Sequence, residues 1–167
     1  MIIVLASKQE TALKSEIEIL AEIKRELRKN KIAKEICKEY GFGIDILDGI
    51  PIEFEDDLEA SAKTIDSSIK LSSDLLNEDF DVIMRYAIHE LVHALQHMEM
   101  VGGDPYAGDE YLDREDELEA FQYQIQYDSE VNGEDEVIEY VEDLIEYHEI
   151  PPEDRDSKKE ELLEKAL

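Results

Sequence analysis

Hydrophobic positions along the chain follow a helical period, then an alternating one, then a helical one again. From residue 10 to about 28, Leu13, Ile17, Leu20, Ile23 and Leu27 recur at three- and four-residue steps, the spacing of one helix face. The apolar run 2–6 before it reads either as a short strand or as the start of a helix. A second helix is predicted over 31–40, with Ile32, Ile36 and Tyr40 on its stripe and Gly41 and Gly43 at its end. Cys37 stands beside that stripe and reads as core filler. Over 50–55, Ile50, Ile52 and Phe54 alternate with polar neighbours, and over 63–71 Ile65, Ile69 and Leu71 fall on odd positions. Both patterns predict half-buried strands, neighbours in a small sheet.

The helical period returns at about residue 77 and runs to about 100, where Gly102, Gly103 and Pro105 end it. Residues 101–111 read as a loop, and further helices are predicted over 113–128 and 134–148. Pro151 and Pro152 then break the chain. The expected organisation is one domain over 1–150 and a charged C-terminal helix or tail over 151–167. The expected fold class is α+β: a small, mostly antiparallel sheet packed on the helix of residues 77–100, with helices before and after it.

That helix carries the chemistry. His89-Glu90-Leu91-Val92-His93 is an H-E-x-x-H motif. Residues four apart on a helix lie on one face about 6 Å apart along the axis, so both imidazoles reach one metal ion and the Glu between them reaches a water on it. With 4 His and 28 Glu in 167 residues, roughly 0.016 such motifs are expected by chance. Phe80, Met84, Ala87, Leu91, Leu95 and Met98 fall within about 160° to 240° of His89 around the helix, so the histidines stand opposite the apolar stripe. His97 extends the series but lies about 12 Å along the axis from His89, too far for one ion to take both easily. It reads as lining the cleft or exposed, and His148 as a structural or surface residue.

Two His ligands need a third. The metzincin pattern would place Gly at 96 and His at 99, where this chain has Gln96 and Glu99. A carboxylate on the following helix is the alternative. Around that helix Leu118, Phe121 and Ile125 define a buried face, with Glu117 about 70° and Glu115 about 90° from its centre, Glu119 about 130° and Asp116 about 170°. HELVH followed by Glu117-Leu118-Glu119-Ala120 resembles the gluzincin metallopeptidases, particularly their small single-domain members of the kind familiar from phage genomes. The resemblance covers roughly residues 80–125. It implies a zincin-like fold, zinc held by His89, His93 and Glu117, Glu90 as the general base, and hydrolysis of peptide bonds by a metal-activated water. Ala120 matches the small residue of the family's E-x-x-A pattern, whereas Phe121 occupies the place of the Asp that orients the first His. An oxyanion donor besides zinc would come from His97, Tyr111, Tyr123 or Tyr127. The 63–71 strand is a candidate edge for pairing an extended peptide. The tail is a candidate inhibitory segment, with a simple charged cap as the default.

Composition narrows the partners. Asp and Glu number 45 against 17 Lys and Arg, a formal charge of −28. Residues 1–40 hold 9 basic and 7 acidic side chains, and residues 41–167 hold 8 and 38. Nucleic acid and anionic membranes are poor partners for such a surface, and the resemblance implies a peptide or protein substrate. No apolar run nears the roughly 20 residues of a membrane span, and 2–6 is too short for a signal-peptide core. A cytoplasmic protein, phage-encoded if the resemblance extends that far, is the expectation. The single cysteine rules out an internal disulfide. Two other readings stand beside a peptidase: a catalytically silent module of the same fold, and an acidic interaction protein, such as a DNA mimic, in which HELVH is accidental.

Overall fold

The computed structural model describes residues 2–99, 112 and 114–167, and side chains from residue 16 onward. The fold is α+β. Its elements are helices α1 (Ile2–Lys29) and α2 (Lys31–Glu39), strands β1 (Ile52–Glu55), β2 (Ala62–Ile65) and β3 (Ser68–Ser72), then α3 (Phe80–Glu99), α4 (Glu115–Asn132), α5 (Glu134–Tyr147) and α6 (Arg155–Leu163). Residues 2–6 are helical, so α1 begins before the apolar period that marks it in the sequence. Asn30 joins α1 to α2 as an N-cap, its Oδ1 accepting from the amides of Ile32 at 2.8 Å and Ala33 at 3.1 Å. Gly41 ends α2 at φ +80°, a left-handed position that lets Phe42 N donate back to Cys37 O.

The sheet is mixed rather than mostly antiparallel. β3 lies in the middle, parallel to β1 and antiparallel to β2. The span 63–71, expected as one strand, is a hairpin. Asp66 (φ 49°) and Ser67 (φ 62°) form a two-residue turn with both residues left-handed, the geometry that matches strand twist. The alternation of Ile65, Ile69 and Leu71 runs through the reversal and hides it. Because Thr64 pairs with Ile69 and Ala62 with Leu71, the turn flips the parity of the first arm. Ile65 therefore points away from the core, 43% exposed, and Thr64 points towards α3.

α3 is the central element. Ile83, Met84, Ala87, Ile88, Leu91, Val92 and Leu95 are buried in a core with Ile23 and Leu27 of α1, Ile32 and Ile36 of α2, and Ile69 and Leu71 of β3. The face opposite the expected stripe is buried as well, since β2 and α4 cover it; His89, Glu90 and His93 are all within the interior. Met98, expected in the apolar stripe, is half-exposed at the far end. Cys37 is buried here, and burial pushes its thiol up, towards the inert form.

α4 divides two cores. Ala120, Tyr123 and Tyr127 face α3, while Phe121 and Ile125 pack against Val137, Val141 and Ile145 of α5 and Leu162 and Leu163 of α6. α6 thus docks by a short apolar face, and the buried Lys158 donates to Leu112 O at 3.1 Å. Among the described residues no helix is long and apolar enough to cross a membrane.

Candidate metal centre

α3 presents His89 and His93 one turn apart, and the first turn of α4 brings Glu117 against them. His89 Nε2 and His93 Nε2 stand 3.2 Å apart, and Glu117 Oε2 lies 3.3 Å from the first and 3.2 Å from the second. Three donors held 2.0–2.1 Å from one centre at tetrahedral angles stand about 3.3–3.4 Å apart. The observed triangle fits three corners of a tetrahedral site. Among the described residues these three form the group able to hold a metal ion.

The hydrogen bonds behind the imidazoles support the same conclusion. His93 Nδ1 is 2.7 Å from Gln96 Oε1, and Gln96 Nε2 donates to Asp116 O at 3.1 Å. A carbonyl only accepts, so the Gln96 amide is fixed with its oxygen towards His93, and Nδ1 of His93 carries the proton. His89 Nδ1 lies 2.9 Å from Gln124 Oε1, whose amide nitrogen donates to Tyr140 Oη at 2.8 Å. The His93 ring therefore turns an Nε2 lone pair towards the Glu117 carboxylate, and with Gln124 Oε1 accepting from Nδ1 the His89 ring does the same. Three buried acceptors facing one another require a cation or a proton between them. Burial opposes charge on His93, but the Glu117 carboxylate, with Glu90 and Gln96 adding to it, raises its pKa to about 9. Burial likewise disfavours the Glu117 anion, and the hydrogen bonds from both histidines still hold its carboxyl well below the usual range. The donor set fits a divalent metal with nitrogen and oxygen ligands such as zinc.

Glu90 is buried beside the triangle. Thr64 of β2 donates its hydroxyl to Glu90 Oε2 at 2.6 Å and also lies 3.1 Å from Glu90 O. A short bond to a carboxylate is the stronger of the two, so the strand pins the side chain from the outside. Glu90, His89 and Ala62 form the wall shared by two cavities. One, of about 250 Å³, holds Lys63, Thr64, His93, His97, Arg114 and Glu117. The other, of about 390 Å³, is lined by Tyr86, Phe121, Gln124, Tyr140, Leu144, Tyr147 and His148. The first is polar and the second largely aromatic.

The other sequence candidates divide. His97 lines the polar cavity, its ring centre 6.5 Å from that of His93, outside the donor triangle. Tyr123 and Tyr127 are buried in the core around α3, and neither lines either of these two cavities. Tyr127 Oη lies 3.4 Å from Asp81, and Tyr123 carries Lys165 Nζ 4.6 Å over its ring. Tyr111 and the whole of the 101–111 loop lie outside the described residues. Of the competing carboxylates, Glu119 accepts from Tyr40 Oη at 2.8 Å and Asp116 pairs with Arg114 at 2.8 Å. No residue of α6 lines either cavity, so the C-terminal segment packs behind the site rather than in it.

Four contributors escape sequence reasoning. Gln96, Gln124 and Thr64 carry no motif signal. His148 read as structural or surface, yet it lines the aromatic cavity with His89 and Glu90. Burial lowers its pKa, while the charge of Glu117 pulls the other way. The Gln124 bond also answers the departure at Phe121. That residue packs edge-on to the His89 ring at 4.7 Å, and the polar partner comes from the next turn of α4. The i+3 spacing from Phe121 to Gln124 is the one sequence signal that would have found it. Comparison of the chain with protein-family models, with curated proteins and with solved structures gives no match.

Proposed function

We propose that this chain is a zinc-dependent peptidase of the zincin-like, gluzincin type. The observation that carries the reading is the convergence of three lone-pair donors at tetrahedral spacing beside a buried glutamate, on a wall shared by two cavities. His89, His93 and Glu117 hold the ion. Bound there, zinc supplies Lewis acidity that polarises a scissile carbonyl and acidifies a water. Glu90 takes the proton of the attacking water on a carboxylate oxygen and delivers it to the nitrogen of the leaving amine. Thr64 holds that carboxylate in place. β2 is an edge of the sheet, and Ala62 on it borders both cavities. An extended peptide added to β2 through main-chain hydrogen bonds runs past Glu90 with its side chains in the cavities. Arg114 and His97 on one side, and Tyr86 and His148 on the other, are the wall groups able to donate to the oxyanion.

The test uses untagged protein. Zinc analysis is expected to give one ion per chain, and hydrolysis of a peptide library is expected to stop with a chelator. Glu90→Gln is expected to keep zinc and lose about 10²–10⁴-fold in turnover. Absence of zinc overturns the metal centre. Zinc without hydrolysis in the wild type assigns the chain to the catalytically silent reading.

A further inference from the structure

The bond from His89 to Gln124 is one link in a longer chain that leaves the metal centre. Gln124 Nε2 donates to Tyr140 Oη at 2.8 Å. The Tyr140 ring lies under the Arg85 guanidinium, 5.2 Å from centroid to carbon. Arg85 Nε donates to Asp128 Oδ1 at 2.9 Å, and Asp128 is 3% exposed. Three helices contribute: His89 and Arg85 from α3, Gln124 and Asp128 from α4, Tyr140 from α5.

Without a partner on its far side, a long amide side chain samples several rotamers and presents its oxygen to Nδ1 only part of the time. The Tyr140 hydroxyl removes that freedom by taking the Gln124 N–H. Burial pushes the Tyr140 pKa up to about 12, so the hydroxyl stays neutral across the working range and remains a good acceptor for an amide N–H. The cation over the ring and the carboxylate behind the cation keep the ring from moving.

We propose that Tyr140 is a positioning residue for the metal ligand His89, acting through Gln124, whose amide it holds against the imidazole Nδ1. The inference rests on the metal-centre reading above. It goes beyond it by assigning metal affinity to a residue on α5 that touches no ligand.

The experiment is a double-mutant cycle read as zinc affinity, by competition with a chromophoric chelator, on full-length wild type, Gln124→Leu, Tyr140→Phe and the double variant. Circular dichroism of the metal-free proteins checks that each is folded. Gln124→Leu keeps the volume and removes the acceptor, and is expected to weaken zinc binding about 10–100-fold. Tyr140→Phe keeps the ring over Arg85 and removes only the hydroxyl. It is expected to weaken binding about 3–10-fold, the worth of one neutral hydrogen bond. In the Gln124→Leu background Tyr140→Phe is expected to have no further effect, because its route to the metal is gone. A structural role for the hydroxyl predicts additive losses instead, and additivity overturns the proposal. So does wild-type affinity in Tyr140→Phe, the variant least able to disturb folding. Failure of the wild type itself to bind zinc would overturn the underlying metal centre, a separate outcome.

Discussion

Metal and proton compete for the same three atoms, and the competition has a calculable size. In the metal-free protein the two Nε2 lone pairs and Glu117 Oε2 converge within 3.3 Å, and His93 takes a proton with a pKa of about 9. At pH 7 that proton is bound, and zinc must displace it. Two pH units below the pKa, displacement costs about 2.7 kcal/mol, or roughly 100-fold in apparent affinity. The apparent Kd for zinc is therefore expected to tighten by about one decade per pH unit from pH 7 towards pH 9 and then to level off. Calorimetry in two buffers of different ionisation enthalpy is expected to report about one proton released per zinc at pH 7. Chelator competition across pH 6.5–9, corrected for the chelator's own protonation, gives the affinity curve. Glu117→Gln removes the carboxylate that raises His93. It is expected to bind more weakly at every pH but with a much flatter slope above pH 7. Wild-type affinity that stays constant from pH 7 to 8.5, with no proton released at pH 7, would refute the reasoning.

Thr64 and the surface charge give two further expectations. Thr64→Val deletes the 2.6 Å bond to Glu90 while leaving the metal ligands untouched. It is expected to retain zinc and lose about 10-fold or more in kcat, the scale of a hydrogen bond to a charged group, with Thr64→Ser restoring activity. Steady-state kinetics of the three proteins decides it, and an unchanged kcat in Thr64→Val removes the positioning role. The 38 acidic against 8 basic side chains over 41–167 should favour Lys-rich over Glu-rich peptides, with a kcat/KM ratio that shrinks as salt rises. Equal cleavage at low salt would count against it.

Local order was legible in the chain, and tertiary order was not. The helical stretches and the strand at 50–55 show themselves because apolar spacing mirrors backbone period, and HELVH shows itself because metal geometry demands i, i+4 on one helix face. The 63–71 hairpin was lost because its turn preserves an apparent alternation across Asp66 and Ser67, neither of them a glycine. The helical wheel of α3 separated histidines from the apolar stripe correctly but left the histidine face open to water. Burial of that face came from α4 and β2, elements 20 or more residues distant in sequence. The same docking decides which polar atoms meet. A glutamine at 124, a glutamine at 96 and a threonine at 64 are ordinary surface residues until two helices and a strand edge exclude water between them. Only then do their hydrogen bonds orient an imidazole or hold a carboxylate, because water no longer competes for those groups.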